Sequence, residues 1–174
     1  MDKSSYTDSV SNSVSSDLKT TQARADGGDA DAQFRLGVYY ANRKVHDYRQ
    51  ASHWFLLAAL QNHSLAQFNL GVMCASGQGI AKDDAQALQW FQKAAAQGDS
   101  GAQFYLGNIH QRSSFGASTV NATESRIEAY KWYHIAASQG YAGAQTAYET
   151  LTKLMSTSDV ADGERRAATF VSKP

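Results

Sequence analysis

The chain has 174 residues, 43% of them hydrophobic, enough for one ordinary domain or about four or five short helical repeats with a buried core. Sixteen basic residues balance sixteen acidic ones, so the basic excess that phosphate contacts demand is missing and no nucleic-acid partner is expected. A single cysteine, Cys74, excludes an intramolecular disulfide and a multi-cysteine zinc site; no run of about 18 apolar residues exists, so no membrane insertion is expected.

Residues 1–15 of the amino end, MDKSSYTDSVSNSVS, are serine-rich and expected to be disordered, with no apolar core of signal-peptide type. The expected compartment is the cytoplasm, or the periplasm or exterior if an export signal has been removed. From Ala32 the chain reads AQFRLG, then AQFNLG at 66–71 and AQFYLG at 102–107, a recurrence in the range of repeat architectures. A second element alternates with it: ASHWFLLAAL (51–60), ALQWFQKAAA (87–96) and AYKWYHIAAS (129–138). From each tryptophan of the second element (Trp54, Trp90, Trp132) to the next alanine of the first is always twelve residues. The opposite interval grows from 22 to 24 to 30, which marks one rigid connection and one elastic surface loop.

Both elements carry a 3.6-residue apolar period and read as helices, A and B. Ala51, Trp54, Phe55 and Ala58 share one face, as do Ala87, Trp90, Phe91 and Ala94, and Ala129, Trp132, Tyr133 and Ala136. These aromatics are expected in the core. A glycine follows each A-helix leucine (Gly37, Gly71, Gly107) at a cost of about 1 kcal/mol in helix propensity, which predicts a close helix approach. The lone proline is Pro174, so no helix in the body is interrupted.

The succession A-x-F-x-L-G, G-x-G-I-x-x-D and A-x-x-W-F-x-x-A-A-x-x-G resembles the Sel-one-like repeat, a relative of the tetratricopeptide repeat. The second unit carries it nearly throughout, from Ala66, Phe68, Leu70 and Gly71 to Ala94, Ala95 and Gly98. The first unit lacks both loop glycines, and the third has SSFGASTVNATES in the loop. The resemblance implies an all-α fold, an α/α right-handed superhelix of stacked helix–turn–helix repeats. Its divisions are a cap helix at 16–27, repeats at 28–61, 62–97 and 98–140 (the last with a long loop), and a partial repeat with a closing helix at 141–174. Val160, Ala167, Ala168 and Phe170 are expected to face inward from that closing helix.

Catalytic constellations are missing from the sequence. The five histidines never fall into a metal spacing such as H-E-x-x-H, and Cys74 takes a packing position shared with Tyr40 and His110. The G-x-G of SGQGIAKDD follows a helix and lacks the P-loop lysine, so it is an A–B turn with Asp83 as brace or cap. No catalytic residue, cofactor or metal is expected.

What remains is surface. The A-helix positions away from the core read Asp31, Arg35, Val38, Asn42; Leu65, Asn69, Val72, Ser76; and Gly101, Tyr105, Asn108, Arg112. By similarity to tetratricopeptide stacks this stripe lines a concave groove. The resemblance thus implies a non-catalytic adaptor, bacterial and monomeric, that binds a protein or peptide through Arg35, Val38, Asn69, Val72, Tyr105, Asn108 and Arg112. Tyr105 and Arg112 are residue types enriched in binding hot spots. Alternatives are an immunity protein that neutralises a secreted toxin by direct binding and, more remotely, a hydrolase-type enzyme.

Overall fold

The computed structural model describes residues 17–42, 44–115 and 119–170; the serine-rich stretch 1–15 lies outside them. Among the described residues there are helices and no strands. The chain divides into two compact units, Met1–Asp83 and Asp84–Pro174. The first holds α1 (17–26), α2 (Ala30–Ala41), α3 (Tyr48–Leu60) and α4 (Ser64–Ser76). The second holds α5 (Asp84–Ala96), α6 (Ser100–Ser114), α7 (Thr119–Ser138), α8 (Ala144–Thr152) and α9 (Thr157–Ala168). Helices α2, α4 and α6 are A elements, α3, α5 and α7 are B elements, and α1 precedes the first repeat.

The constant B-to-A interval has a hydrogen-bonded cause. Each turn passes through one left-handed residue, Gly28 (φ 91°), Asn62 (φ 64°), Gly98 (φ 92°) or Gly140 (φ 75°). The next N–H then donates to the carbonyl five residues back: Asp29 to Arg24, His63 to Ala58, Asp99 to Ala94, Tyr141 to Ala136. This is the Schellman closure of a helix C-terminus. The same residue caps the following helix in three cases: the Asp29 and Asp99 carboxylates accept from the N–H of Ala32 and Ala102, and the His63 Nδ1 from that of Ala66. A buried glutamine completes the lock. Gln33, Gln67 and Gln103, the Q of each AQF, donate to the carbonyls of Ala25, Ala59 and Ala95 at 3.1, 3.1 and 3.3 Å. An insertion here would orphan several buried polar groups at once.

Two of the A-helix glycines, Gly37 and Gly107, make close approaches. A Cβ on Gly37 would sit 2.5 Å from the Phe55 ring, and one on Gly107 2.5 Å from that of Tyr133. Phe55, Phe91 and Tyr133 are at most 2% exposed. The tryptophans diverge from the expectation of a uniform core. Trp54 is buried, but Trp90 and Trp132 are half-buried, their rings covered by the Lys93 and Lys131 ammonium groups at 4.2 and 4.3 Å. In the hairpins α2–α3 and α6–α7 the aromatic set against the glycine is the residue after the tryptophan.

The long third loop also differs from expectation. Most of the insertion is helical: α6 runs to Ser114 and α7 starts at Thr119, giving 15 and 20 residues where α4 and α5 have 13 each. Ala122 and Ile127 of the added turns are buried. Helix α9 docks on α7, with Gly163 against the Tyr130 ring, where a Cβ would lie 2.4 Å from Cδ1. Val160 joins the Tyr130–Tyr133–Leu151 core, Ala167 is buried, and Phe170 meets Trp132 edge-on at 5.3 Å. Ala168 is exposed, contrary to expectation.

Candidate interaction surface

In the first unit the outward A-helix positions stand mostly free. Asp31, Arg35 and Val38 of α2 and Asn42 at its C-cap are exposed, Val38 at 46%. On α4, Leu65 is 47% exposed, Asn69 and Val72 are half-buried and Ser76 is exposed. Asn69 donates its amide to the Leu65 carbonyl at 2.7 Å, one turn back on its own helix. Among the described residues Arg35 makes no ion pair. Asp31 meets the Nε2 of His63 at 3.3 Å. Because Nδ1 of that imidazole accepts from Ala66, the neutral ring carries its proton on Nε2, the nitrogen that faces the Asp31 carboxylate. The ring also stacks on Phe34 at 4.6 Å, so His63 is a joint between α2 and α4.

In the second unit the corresponding positions of α6 are more committed to packing. Gly101 is buried, and Tyr105 is half-buried with its ring stacked on Phe91 at 5.1 Å. The Asn108 amide oxygen lies 2.8 Å from the Tyr133 hydroxyl, and the Gln111 amide lies 2.7 Å from the same oxygen. A hydroxyl has one proton, so one amide accepts it and the other turns its NH2 toward the oxygen. Burial pushes the Tyr133 phenol up to about 12, which keeps it neutral. Arg112 is exposed and unpaired among the described residues.

Two groups with catalytic potential, Cys74 and His134, are engaged in packing. Cys74 is fully buried, desolvation holds its thiol above the usual range, and its carbonyl takes the Asp83 N–H at 3.0 Å. His134 is half-buried, between Tyr130 and Tyr148 at 6.0 and 5.2 Å, rather than at the surface. Among the described residues no three His, Cys, Asp or Glu side chains converge on a metal position. None of the described helices is long and apolar enough to cross a membrane.

The densest charge cluster lies elsewhere and was not visible in the sequence. Arg166 of α9 reaches Glu124 at 2.5 and 3.1 Å, Glu128 at 2.7 Å and Asp162 at 2.9 Å. Lys131 adds a bond to Glu128 at 3.2 Å. Burial works against the Glu128 carboxylate, but Arg166 and Lys131 together hold it below its ordinary range. The cluster fastens α9 to α7. Arg166 stands 38 and 42 residues from the two glutamates, so no local spacing announces the contacts between the helices.

Comparison with known proteins fits this geometry. A profile of the Sel1 repeat matches residues 30–63, 64–99 and 100–141. A comparison with curated proteins found no match. Among solved structures, the chain is similar to a protective antigen of uropathogenic Escherichia coli strains that displays an SLR fold, with a TM-score of 0.77 and 28% identity. That match covers 88% of this chain, which spans 32% of the length of the antigen chain. A Sel1 repeat protein from Oxalobacter formigenes aligns with a TM-score of 0.58 and 31% identity over 77% of this chain and 98% of the other. Three profile matches, the repeated hairpins and these bacterial neighbours place the chain in the Sel1 repeat family, all-α solenoids of helix–turn–helix repeats that generally act as non-catalytic protein-interaction scaffolds.

Proposed function

We propose that this chain is a non-catalytic adaptor that takes a peptide or protein segment on its outward helix-A faces. The observation that carries the reading is in the first unit. Val38 and Leu65 are exposed on the same set of helix-A positions as Arg35, whose guanidinium has no partner among the described residues. Single exposed aliphatics are ordinary. Val38 one turn from Arg35 on α2, and Leu65 on α4, offer apolar area, and the unpaired guanidinium a directional donor, the combination that anchors a bound segment. Asn69 and Val72 border this face. In the second unit Arg112 is the available contact, while Tyr105 and Asn108 divide their surfaces between Phe91, Tyr133 and solvent.

The test begins with affinity purification of the partner from the native host, followed by binding measurements on purified proteins. Arg35→Ala with Val38→Asn is expected to weaken binding at least tenfold without moving the melting temperature, and Arg112→Ala to weaken it less. Unchanged affinity in both variants would remove the helix-A faces from the reading.

A further inference from the structure

The outer side of α3 carries a second surface that the fold does not require. Arg49, His53, Leu56 and Leu60 stand at i, i+4, i+7 and i+11 and are all exposed, the two leucines at 40% and 65%. Their opposite side, Ala51, Trp54, Phe55, Ala58 and Ala59, is buried, so the packing obligations of the helix are met without them. The sister repeats serve as internal controls. With the tryptophans aligned, Leu56 and Leu60 correspond to Gln92 and Ala96 in α5, and to His134 and Ser138 in α7. The scaffold therefore does not need leucine at either position. Nor does it need Arg49, which corresponds to Ala85 and lies in the first turn of α3, where a cation opposes the helix dipole. Among the described residues Arg49 makes no ion pair.

We infer that this face of α3 is a docking surface for an amphipathic helical segment of another protein. That segment carries two apolar side chains one turn apart and carboxylates at its far end. The apolar pair lies on Leu56 and Leu60, and the carboxylates reach Arg49, about 16 Å from Leu60 along the helix axis. Charge selects this occupant over a second copy of the chain. In an antiparallel pair of α3 helices each Arg49 would be set against a leucine, and in a parallel pair against its own copy. Neither arrangement offers a carboxylate. The site is on helix B and stands apart from the helix-A reading.

The test uses the full chain and two labelled helical peptides of identical sequence, with leucines at i and i+4, differing only in glutamate or lysine at the far end. Anisotropy titrations should show the glutamate peptide binding at least tenfold tighter than the lysine peptide. L56Q with L60A installs the residues of α5 and should leave melting unchanged while weakening the glutamate peptide at least tenfold. R49E should reverse the preference between peptides. Equal affinity for the two peptides, no binding of the glutamate peptide, or binding indifferent to L56Q with L60A would overturn the assignment. So would loss of binding through R35A with V38N instead, which would give the peptide to helix A. Sedimentation provides the last arm: a dimer dissolved by L56Q with L60A would assign the face to a second copy and overturn it too.

Discussion

In the hairpin α2–α3 the ring set against the helix-A glycine is Phe55, and the hairpin ends in a short turn. In α6–α7 the same place holds Tyr133, whose hydroxyl draws Asn108 and Gln111 around it, and the helices run on into extra turns that carry α9. The inner contacts of the two hairpins coincide: glycine against ring, glutamine to the carbonyl eight residues back, aspartate cap on the third N–H. Their outer parts do not. A repeat of this kind therefore tolerates change at the end where its two helices are joined and almost none where it meets the preceding helix B.

The comparison breaks first at the rings. Phe55→Ala and Tyr133→Ala should each cost about 3–5 kcal/mol in chemical denaturation, because both fill the space a glycine leaves. A cost for one that is less than half the cost for the other would mean that the hairpins are not equivalent inside. Next comes the clasp found only in the second hairpin. Arg166→Ala leaves Glu124, Glu128 and Asp162 facing one another and should cost about 2 kcal/mol. Removal of residues 119–125 should strip amide-exchange protection from α9 while α2 and α3 keep theirs; retained protection in α9 would show that the added turns are dispensable.

The shared glutamine sharpens the likeness at a smaller scale. Gln33→Ala and Gln103→Ala should each cost about 1–2 kcal/mol by leaving a buried carbonyl unpaired, and the two values should agree. The smallest effect is a pH dependence. Burial holds His110 below its ordinary value, so the folded chain binds fewer protons than the unfolded chain as pH falls. Stability is then kept above about pH 6.5 and lost below it, at no more than about 1.4 kcal/mol per pH unit, until His110 is protonated in the folded state as well. His110→Tyr, which installs the residue found at Tyr40, should flatten that slope in melts between pH 7 and 5.

Much of the hairpin was legible because its causes are periodic. The alanine and aromatic stripes, the glycine after each leucine and the twelve-residue interval all repeat, and repetition separates signal from accident. Glutamine was equally repeated in every AQF, yet a polar residue in a helix reads as surface unless a buried carbonyl within its reach is known. The tryptophans misled for a related reason. Periodicity gives the face of a helix but not the depth, and depth at Trp90 and Trp132 depends on neighbours that the local pattern does not name. The insertion was read as a loop because its length varied, although TVNATES propagates a helix once Ala122 and Ile127 find cover. The helix-A positions were legible as outward in α2 and only partly so in α6, where Tyr105 and Asn108 have packing partners.

The reach of Arg166 has a consequence for the order in which the chain can finish folding. The glutamine bonds close over 8 residues, and those between Gln61 and Gln33 or Gln139 and Gln103 over 28 and 36. The bond from Arg166 to Glu124 closes over 42. During synthesis the α2–α3 hairpin can settle soon after it emerges, whereas the outer face of α7 must wait for α9. Through that interval the Tyr130 ring lacks its Gly163 cover and two carboxylates of α7, Glu124 and Glu128, lack their arginine. A ribosome that slows before residue 166 would lengthen this exposure, and a protease or holdase added to stalled chains would find its target in α7 rather than in α2 or α3.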